Sequence, residues 1–298
     1  MKTFLSIKEF SEFSGIEITT LRYWDDIGLF SPAKRNPENN YRYYSPEQVI
    51  AVNFITVLSS LNIPLKKIGE IKDRRTPAAI VRLIEQQEKL LDTEMSSLRD
   101  RFSIIHTRRE MINYGIQALK GFKTVNGIKM EDDYSAEDGT EVDITKISVL
   151  WEEEACFVLG PRNEWTEGEG FFGPFMHFCK QAENLRINLN YPIAAILDTW
   201  DRFMEAPGEP QHFISMDPHG NRRRPAGNYL TGFSRGYYGQ FGDLHNRMAE
   251  YIRENSLTVF GPVYTTFLLD EISVKDPSQY LAHACVQCAP QKRKRISG

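Results

Sequence analysis

Apolar positions in the first 75 residues recur at helical spacing in short runs, and glycine or proline separates one run from the next. Ser6 with Glu9 three positions on predicts a capped helix over Ile7 to Phe13, which Gly15 breaks. A second helix opens at Ile18 or Thr19; Leu21 and Trp24 can pack back while Thr20, Arg22, Tyr23 and Asp25 stay available outside, a helix-turn-helix spacing. Gly28 ends it and Pro32 stops further propagation. Pro37 to Asn40 then makes a polar turn between Ser31–Asn36 and Tyr41–Tyr44, which predicts a two-stranded wing. Ser45-Pro46 with Glu47 and Gln48 starts a helix to Ser60, Asn62 interrupts, and Pro64 opens a short helix to Asp73.

From Pro77 the period changes. One helix is expected to run to Gly115 or Leu119, with Ile84, Leu91, Leu98, Ile105 and Ile112 seven residues apart and Glu88, Met95, Phe102, Arg109 and Ile116 four residues after each. A homodimer seam over Ile84, Leu91, Met95, Leu98, Phe102, Ile105 and Ile112 is the favoured reading, because so long a helix after a small domain finds more apolar surface on a second copy. A single amphipathic helix packed on its own chain is the alternative. Residues 121–143, with Gly127, Gly139 and a run of acids, read as a linker with a possible edge segment.

Strand-like runs follow at Ile144–Leu150, Ala155–Leu159, Ile193–Trp200, Gln211–Met216, Asn228–Phe233, Val263–Leu269 and Leu281–Cys288, with helical patterns at Phe172–Leu185 and Gln240–Asn255. The expected organisation is therefore a helical winged domain over 1–75, a dimerising coiled-coil helix over 76–120, an acidic linker over 121–143, and an α+β domain over 144–298.

Among 298 residues the longest apolar runs fall well short of the roughly 18 needed to cross a bilayer, so no membrane partner is expected. Met1-Lys2-Thr3 leads into a short alternating segment rather than a signal-peptide core. Four cysteines, with Cys156 and Cys179 isolated, do not make a disulfide framework, and together these features predict a cytoplasmic protein. Net charge is −4 overall but +3 over residues 1–120 and −7 over the rest, so the two parts suit different partners.

The chemistry most sharply written in the chain lies between Thr20 and Tyr44. A short helix in a groove presents Thr20, Arg22 and Tyr23 to a duplex, and Arg35, Arg42 and Tyr43 flank it from the wing. Arginine neutralises phosphate or reads a guanine edge, and Lys66 at a later helix start can add a phosphate contact. A solvated hairpin for the arginines and core packing for Tyr23 or Trp24 are the bland alternatives. The segments LSIKEFSEFSGIEITTLRYWDDIGLFSPAKR (5–35), NYRYYSPEQV (40–49) and LNIPLKKIGEI (61–71) resemble the DNA-binding domain of the MerR family of bacterial transcription regulators. The resemblance implies a homodimer whose antiparallel coiled coil spaces two winged domains over double-stranded promoter DNA. Such regulators distort an overlong promoter spacer so that bacterial RNA polymerase can engage both of its elements. Trp24 stands where many members carry Tyr.

The second half is rich in rings, and Trp151, Phe171, Phe175, Trp200, Tyr229, Tyr238, Tyr264 and Phe267 are the candidate ligand contacts. Such rings bind flat or cationic organic molecules by burial and ring electrostatics. The segments YLTGFSRGYYGQFGDLHNRMAEYI (229–252), FGPVYTTFLLDE (260–271) and YLAHACVQC (280–288) resemble the GyrI-like effector domain of multidrug-responsive regulators. That resemblance implies duplicated strand-helix-strand-strand units around a central cleft, and aromatic or cationic small molecules as partners. Members often place a buried Glu after the Gly-Pro-x-Tyr segment, whereas this chain has Thr265; Asp198 and Asp201, or Glu152 to Glu154, are substitute carboxylates.

Cys285-x-x-Cys288 has the spacing of half a zinc site, but in a strand His283 and Cys285 share one face and Cys288 takes the other, so no metal and no cofactor is assigned. The Lys292–Arg295 run reads as a basic tail. A hydrolase using a tyrosine and a carboxylate in an aromatic cleft, a drug-sequestering protein, and a ligand-independent architectural repressor are the alternative functions. No serine elbow or zinc-protease helix favours an enzyme, and no catalytic residue is assigned.

Overall fold

The computed structural model describes residues 3–119, 145–166, 168 and 170–291. The chain divides into two compact units, residues 1–99 and 100–298. Among the described residues no helix is long and apolar enough to cross a membrane. The possible edge segment before Asp143 and the Lys292–Arg295 tail lie outside the described residues.

In the first unit, β1 (Leu5–Ser6) leads into α1 (Ile7–Ser14), whose start is the anticipated reciprocal cap: the Ser6 hydroxyl accepts from the Glu9 amide and the Glu9 carboxylate accepts from the Ser6 amide at 2.8 Å. Gly15 closes α1 at φ 74°, where a side chain is strained, and its amide donates to the Ser11 carbonyl. α2 (Ile18–Asp26), β2 (Lys34–Arg35) and β3 (Arg42–Tyr44) follow, the last pairing with β1 and β2 in a three-stranded sheet of order β1-β3-β2. A 3-10 turn at Pro46–Gln48 opens α3 (Val49–Ser60), and α4 (Leu65–Ile71) follows Pro64. Phe10, Leu21, Trp24, Phe30, Tyr44, Ile55 and Ile68 form the core, with the rings of Phe10 and Tyr44 stacked 4.7 Å apart. α5 is one helix over Pro77–Leu119.

The second unit contains β4 (Ser148–Glu152), β5 (Ala155–Arg162), α6 (Phe172–Ala182), β6 (Ile193–Leu197), α7 (Trp200–Glu205), β7 (His212–Ser215), β8 (Arg222–Arg224), β9 (Gly227–Arg235), α8 (Leu244–Glu254), β10 (Leu257–Leu269) and β11 (Leu281–Pro290). The strands make one eight-stranded antiparallel sheet of order β4-β9-β11-β10-β6-β7-β5-β8. Strand alternation divides its side chains. Val263, Phe267, Ala282, Ala284, Val286 and Cys288 pack with Leu244 and Met248 of α8, while Tyr264, His283 and Cys285 face the other way.

Two expectations are corrected, and one strand forms where no strand-like run was read. The run Ile193–Trp200 stops being strand at Leu197, because the extended Thr199 caps α7 through its hydroxyl, which accepts from the Arg202 amide. β10 begins at Leu257 rather than Val263, since Leu257–Phe260 finds partners on Cys288–Pro290 and Gln287. The three consecutive arginines of β8 carry no apolar alternation, yet they pair with Ala155–Phe157.

Candidate functional site

On the first unit, α2 leaves Arg22 and Tyr23 exposed and Thr20 half-buried, while Leu21 and Trp24 enter the core, so one short helix both anchors and presents. The wing arginines stand differently from a pair free to meet phosphate. Asp25, with a side chain only 2% exposed, accepts from Arg35 Nη2 at 2.5 Å and from Arg42 Nε at 2.6 Å, and Arg42 also reaches Asp26. The hydrogen bond that Arg42 donates to Asp25, with the Asp25 charge, outweighs burial and holds the Arg42 guanidinium pKa above its ordinary value. The two arginines thus fasten the wing to α2, and Lys72 Nζ donates to the carbonyls of Gly28 and Leu29 at the turn between them. Tyr43 is half-buried and Lys66 exposed; Asp25, which the spacing placed outside, is the buried hub of the cluster.

The seam positions on α5 separate along the helix. Leu91, Met95, Leu98, Phe102 and Ile105 are exposed on the single chain and Ile84 is half-buried. Ile112 instead packs with Met111, Leu268 and Leu281 of the second unit. Met111, Gly115 and Ala118 form the buried face of the last turns. Gly115 is needed there for close approach, since a Cβ would stand 3.1 Å from the side chains of Leu268 and Leu269.

The candidate ligand residues fall into two spaces and outside both. A cleft of about 980 Å³ on the face of the sheet opposite α8 is lined by Trp151, Phe157, Tyr264, His283 and Cys285, and by the Tyr114 side of α5. A smaller cavity of about 280 Å³ takes Phe171, Phe175, Tyr238 and Phe267, with Phe213 beside them. Rings stack there, Phe171 on Tyr238 at 6.0 Å, and the Tyr238 hydroxyl donates to Glu271. Burial, then Glu271, raises the Tyr238 pKa; burial also raises that of Asp270, which faces Arg108 at 3.8 Å. Trp200 lines neither space and packs on Phe203 in the core. Tyr229 lies beneath the cleft floor, its hydroxyl donating to the Pro225 carbonyl, and Thr265 is buried between the two spaces.

The cleft floor holds a polar cluster that the sequence did not reveal. Arg224 Nη2 donates to Glu152 Oε2 at 3.0 Å, and the Tyr114 hydroxyl donates to Glu152 Oε1 at 2.9 Å, so both carboxylate oxygens are engaged. The Arg224 guanidinium lies 4.9 Å from the Tyr229 ring centroid and 6.0 Å from that of Tyr264, and Nη1 is 3.5 Å from Cys285 Sγ. Burial opposes the charge on Arg224, but Cys285, Glu152 and Tyr229 outweigh it and hold its pKa above the ordinary value. Burial, reinforced by Glu152, raises the Tyr114 pKa. Burial also pushes the Cys285 thiol up to about 12 and His283 down to about 4, so the thiol stays protonated and the imidazole neutral near pH 7. His283 Nε2 is buried with no hydrogen-bond partner among the described residues.

Of the substitute carboxylates, Asp198 is paired with Arg162 at the surface and Asp201 is exposed in the first turn of α7, whereas Glu152, Glu153 and Glu154 all line the cleft. Cys285 faces the cleft and Cys288 the core, and no group of three metal-ligating side chains occurs among the described residues. Arg222–Arg224 looks in sequence like a solvated charge run, and Tyr114 like part of a coiled-coil surface. Only the fold brings Tyr114, Glu152 and Arg224 together.

Residues 5–74 match the model of the MerR HTH family regulatory protein. Over 279 residues, 92% of this chain and 92% of the relative, the sequence is 23% identical to the multidrug-efflux transporter 2 regulator of Bacillus subtilis. It is 41% identical over 68 residues to the transcriptional regulator BrlR of Pseudomonas aeruginosa, 23% of this chain and 25% of that protein. A cryo-EM structure of an EcmrR–DNA complex aligns with 96% of this chain and 100% of that chain at 16% identity, with a TM-score of 0.35.

Proposed function

Residues 5–74 are a MerR-family helix-turn-helix domain, and from that premise we propose that the chain is a transcription activator that answers to an aromatic or cationic small molecule. It binds double-stranded promoter DNA as a homodimer, with Thr20, Arg22 and Tyr23 at the duplex and Tyr43 and Lys66 at its flanks. The exposed Leu91, Met95, Leu98, Phe102 and Ile105 provide the seam for the second copy. The effector occupies the cleft over Glu152, and its binding changes how the dimer bends or untwists an overlong spacer for RNA polymerase. Deforming a promoter-length duplex costs on the order of several kcal/mol, which phosphate contacts from two copies can offset.

One observation carries this reading: the unit that follows the DNA-binding domain holds a cleft of about 980 Å³ walled by rings and carboxylates, a size and chemistry suited to a drug-sized ligand. The order β5-α6-β6-β7, with the short α7 between its last two strands, and, after the edge strand β8, the order β9-α8-β10-β11 support the duplicated strand-helix-strand-strand reading. Similarity along 92% of the chain to a regulator named for a multidrug-efflux transporter supports the effector class.

The test is transcription by purified bacterial RNA polymerase from the promoter nearest the gene, with the full chain and a panel of planar aromatic and cationic compounds. Stimulation by a compound that leaves operator occupancy unchanged is the expected result. Consumption of the compound with no change in transcript sinks the proposal in favour of a hydrolase.

A further inference from the structure

Among the described residues, the cleft lining carries four carboxylates, Glu110, Glu152, Glu153 and Glu154, against one guanidinium, that of Arg224. Glu154 is neutralised from outside by Arg223 at 2.8 Å. Glu152 differs from the other acids of the lining: its side chain is 15% exposed, and its charge is met from within by Arg224, whose side chain is equally shielded. The position of that guanidinium has every feature of a site for an organic cation. It has a tyrosine face at 4.9 Å, a second ring at 6.0 Å, a carboxylate oxygen at 3.0 Å and shelter from water. What fills it is a side chain of the protein itself.

We propose that Arg224 is a tethered occupant of the cleft's cation site, and that an organic cation binds by displacing the guanidinium from Glu152, Tyr229 and Tyr264. This rests on the reading of the cleft as the effector site. It names Glu152 as the carboxylate that selects the ligand's charge, in a chain that has Thr265 after its Gly-Pro-Val-Tyr segment.

The exchange is physically balanced. Arg224 ends a three-residue edge strand whose Arg222 and Arg223 are already exposed, so its long side chain has water beside it. When it leaves, the incoming cation keeps Glu152 from becoming a buried unpaired charge, the state that a simple loss of arginine produces. The site therefore rejects neutral ligands at Glu152 and weakens every cation by the fraction of time Arg224 is in place. Glu152 also accepts from Tyr114 on α5, so a ligand that draws the carboxylate toward itself acts directly on the hydrogen bond that ties α5 to the sheet.

The experiment is calorimetric titration of the full chain with tetraphenylphosphonium, a permanent cation, and with triphenylphosphine oxide, a neutral molecule of related shape. Arg224→Met is expected to bind the phosphonium about tenfold more tightly than the wild type, and Glu152→Gln about tenfold more weakly, with the neutral probe altered by less than about threefold. Arg224→Lys keeps the positive charge and so protects the fold; it is expected to fall between wild type and Arg224→Met, because an ammonium lacks the planar fork. In Arg224→Ala, added methylguanidinium should restore the competition and weaken phosphonium binding, and it should leave the wild type unchanged; a purely structural role for Arg224 would not produce this.

Phosphonium binding that is unchanged or weaker in both Arg224→Lys and Arg224→Met overturns the proposal. Binding of both probes without regard to Glu152 overturns it as well, while the effector reading stands. Binding of neither probe by any form removes the effector reading of the cleft and this inference with it.

Discussion

Two shielded carboxylates, one in each unit, are met by arginine in different ways. Asp25 is held by Arg35 and Arg42, which come from 10 and 17 residues along the chain, and the cluster closes a wing onto a helix within a small core. Glu152 is held by one arginine from 72 residues away and one phenol from 38, and it borders about 980 Å³ of open space. An acid locked by two short-range partners in a packed domain has nowhere to exchange to, so it acts as a fastener. An acid at a cleft with a single charged partner, brought from far along the chain, has an alternative partner within reach whenever a cation enters.

The contrast is broken or sharpened by four measurements. Near neutral pH Asp25→Ala should have the largest effect: it leaves two arginines facing a shielded gap and is expected to cost roughly 3 kcal/mol of stability, the low end for a buried pair because Arg35 is 40% exposed. Urea unfolding and anisotropy with operator-length DNA should show that loss together with weakened DNA binding. A cost no larger than that of the Tyr114 variant described below would erase the distinction between fastener and exchangeable pair.

Acid should next expose the cleft floor through His283. Its folded pKa of about 4 lies below the ordinary 6.5, chiefly from burial, with Glu152 raising it and Arg224 lowering it. Above about pH 7 both folded and unfolded forms are neutral and the contribution is level. As pH falls through 6.5 the unfolded chain takes up a proton that the folded chain refuses, so stability declines until about pH 4, by on the order of 3 kcal/mol. His283→Leu should flatten that part of the pH profile relative to wild type, and parallel profiles would remove His283 as the cause.

A smaller change, about 1.5 kcal/mol, is expected for Tyr114→Phe, which removes the phenol that donates to the Glu152 carboxylate. Chemical unfolding of the two proteins side by side provides the value. Arg162→Ala marks the floor of the series: Arg162 and Asp198 are 66% and 38% exposed, and their loss should change stability by under about 0.5 kcal/mol in the same assay.

How far the fold can be read from sequence follows the same division. In the first unit the instructions are local: Ser6 with Glu9, Gly15, Pro64 and the Ser45–Gln48 cap each act within four residues, and the structure places helices where they direct. Arg42 shows the limit even there, because a basic wing residue looks the same in sequence whether it meets phosphate or Asp25. In the second unit most strands were legible from alternation, but Arg222–Arg224 has none, and its place beside Ala155–Phe157 is decided by pairing across the sheet. Thr199 carried a cap signal inside an apolar stretch that otherwise reads as strand. Ring content singled out the second half, yet it could not separate Trp200, packed against the core, from Trp151 at the cleft, since both are tryptophans beside acids. The Glu152 cluster needs three distant segments to meet, and no local pattern encodes such a meeting.

The buried face of Met111, Gly115 and Ala118 gives α5 a fixed angular phase. Each residue of an α-helix turns the chain by about 100°, so deleting one residue between Leu98 and Met111 would swing the exposed seam a quarter-turn or more relative to the face that seats on Leu268 and Leu269. Removing a whole heptad would leave the two faces within about 20° of their present relation. Length changes in this helix should therefore be tolerated in steps of seven and rejected in steps of one, a periodicity that a deletion series read out by effector-dependent transcription would reveal as a repeating pattern of function and silence.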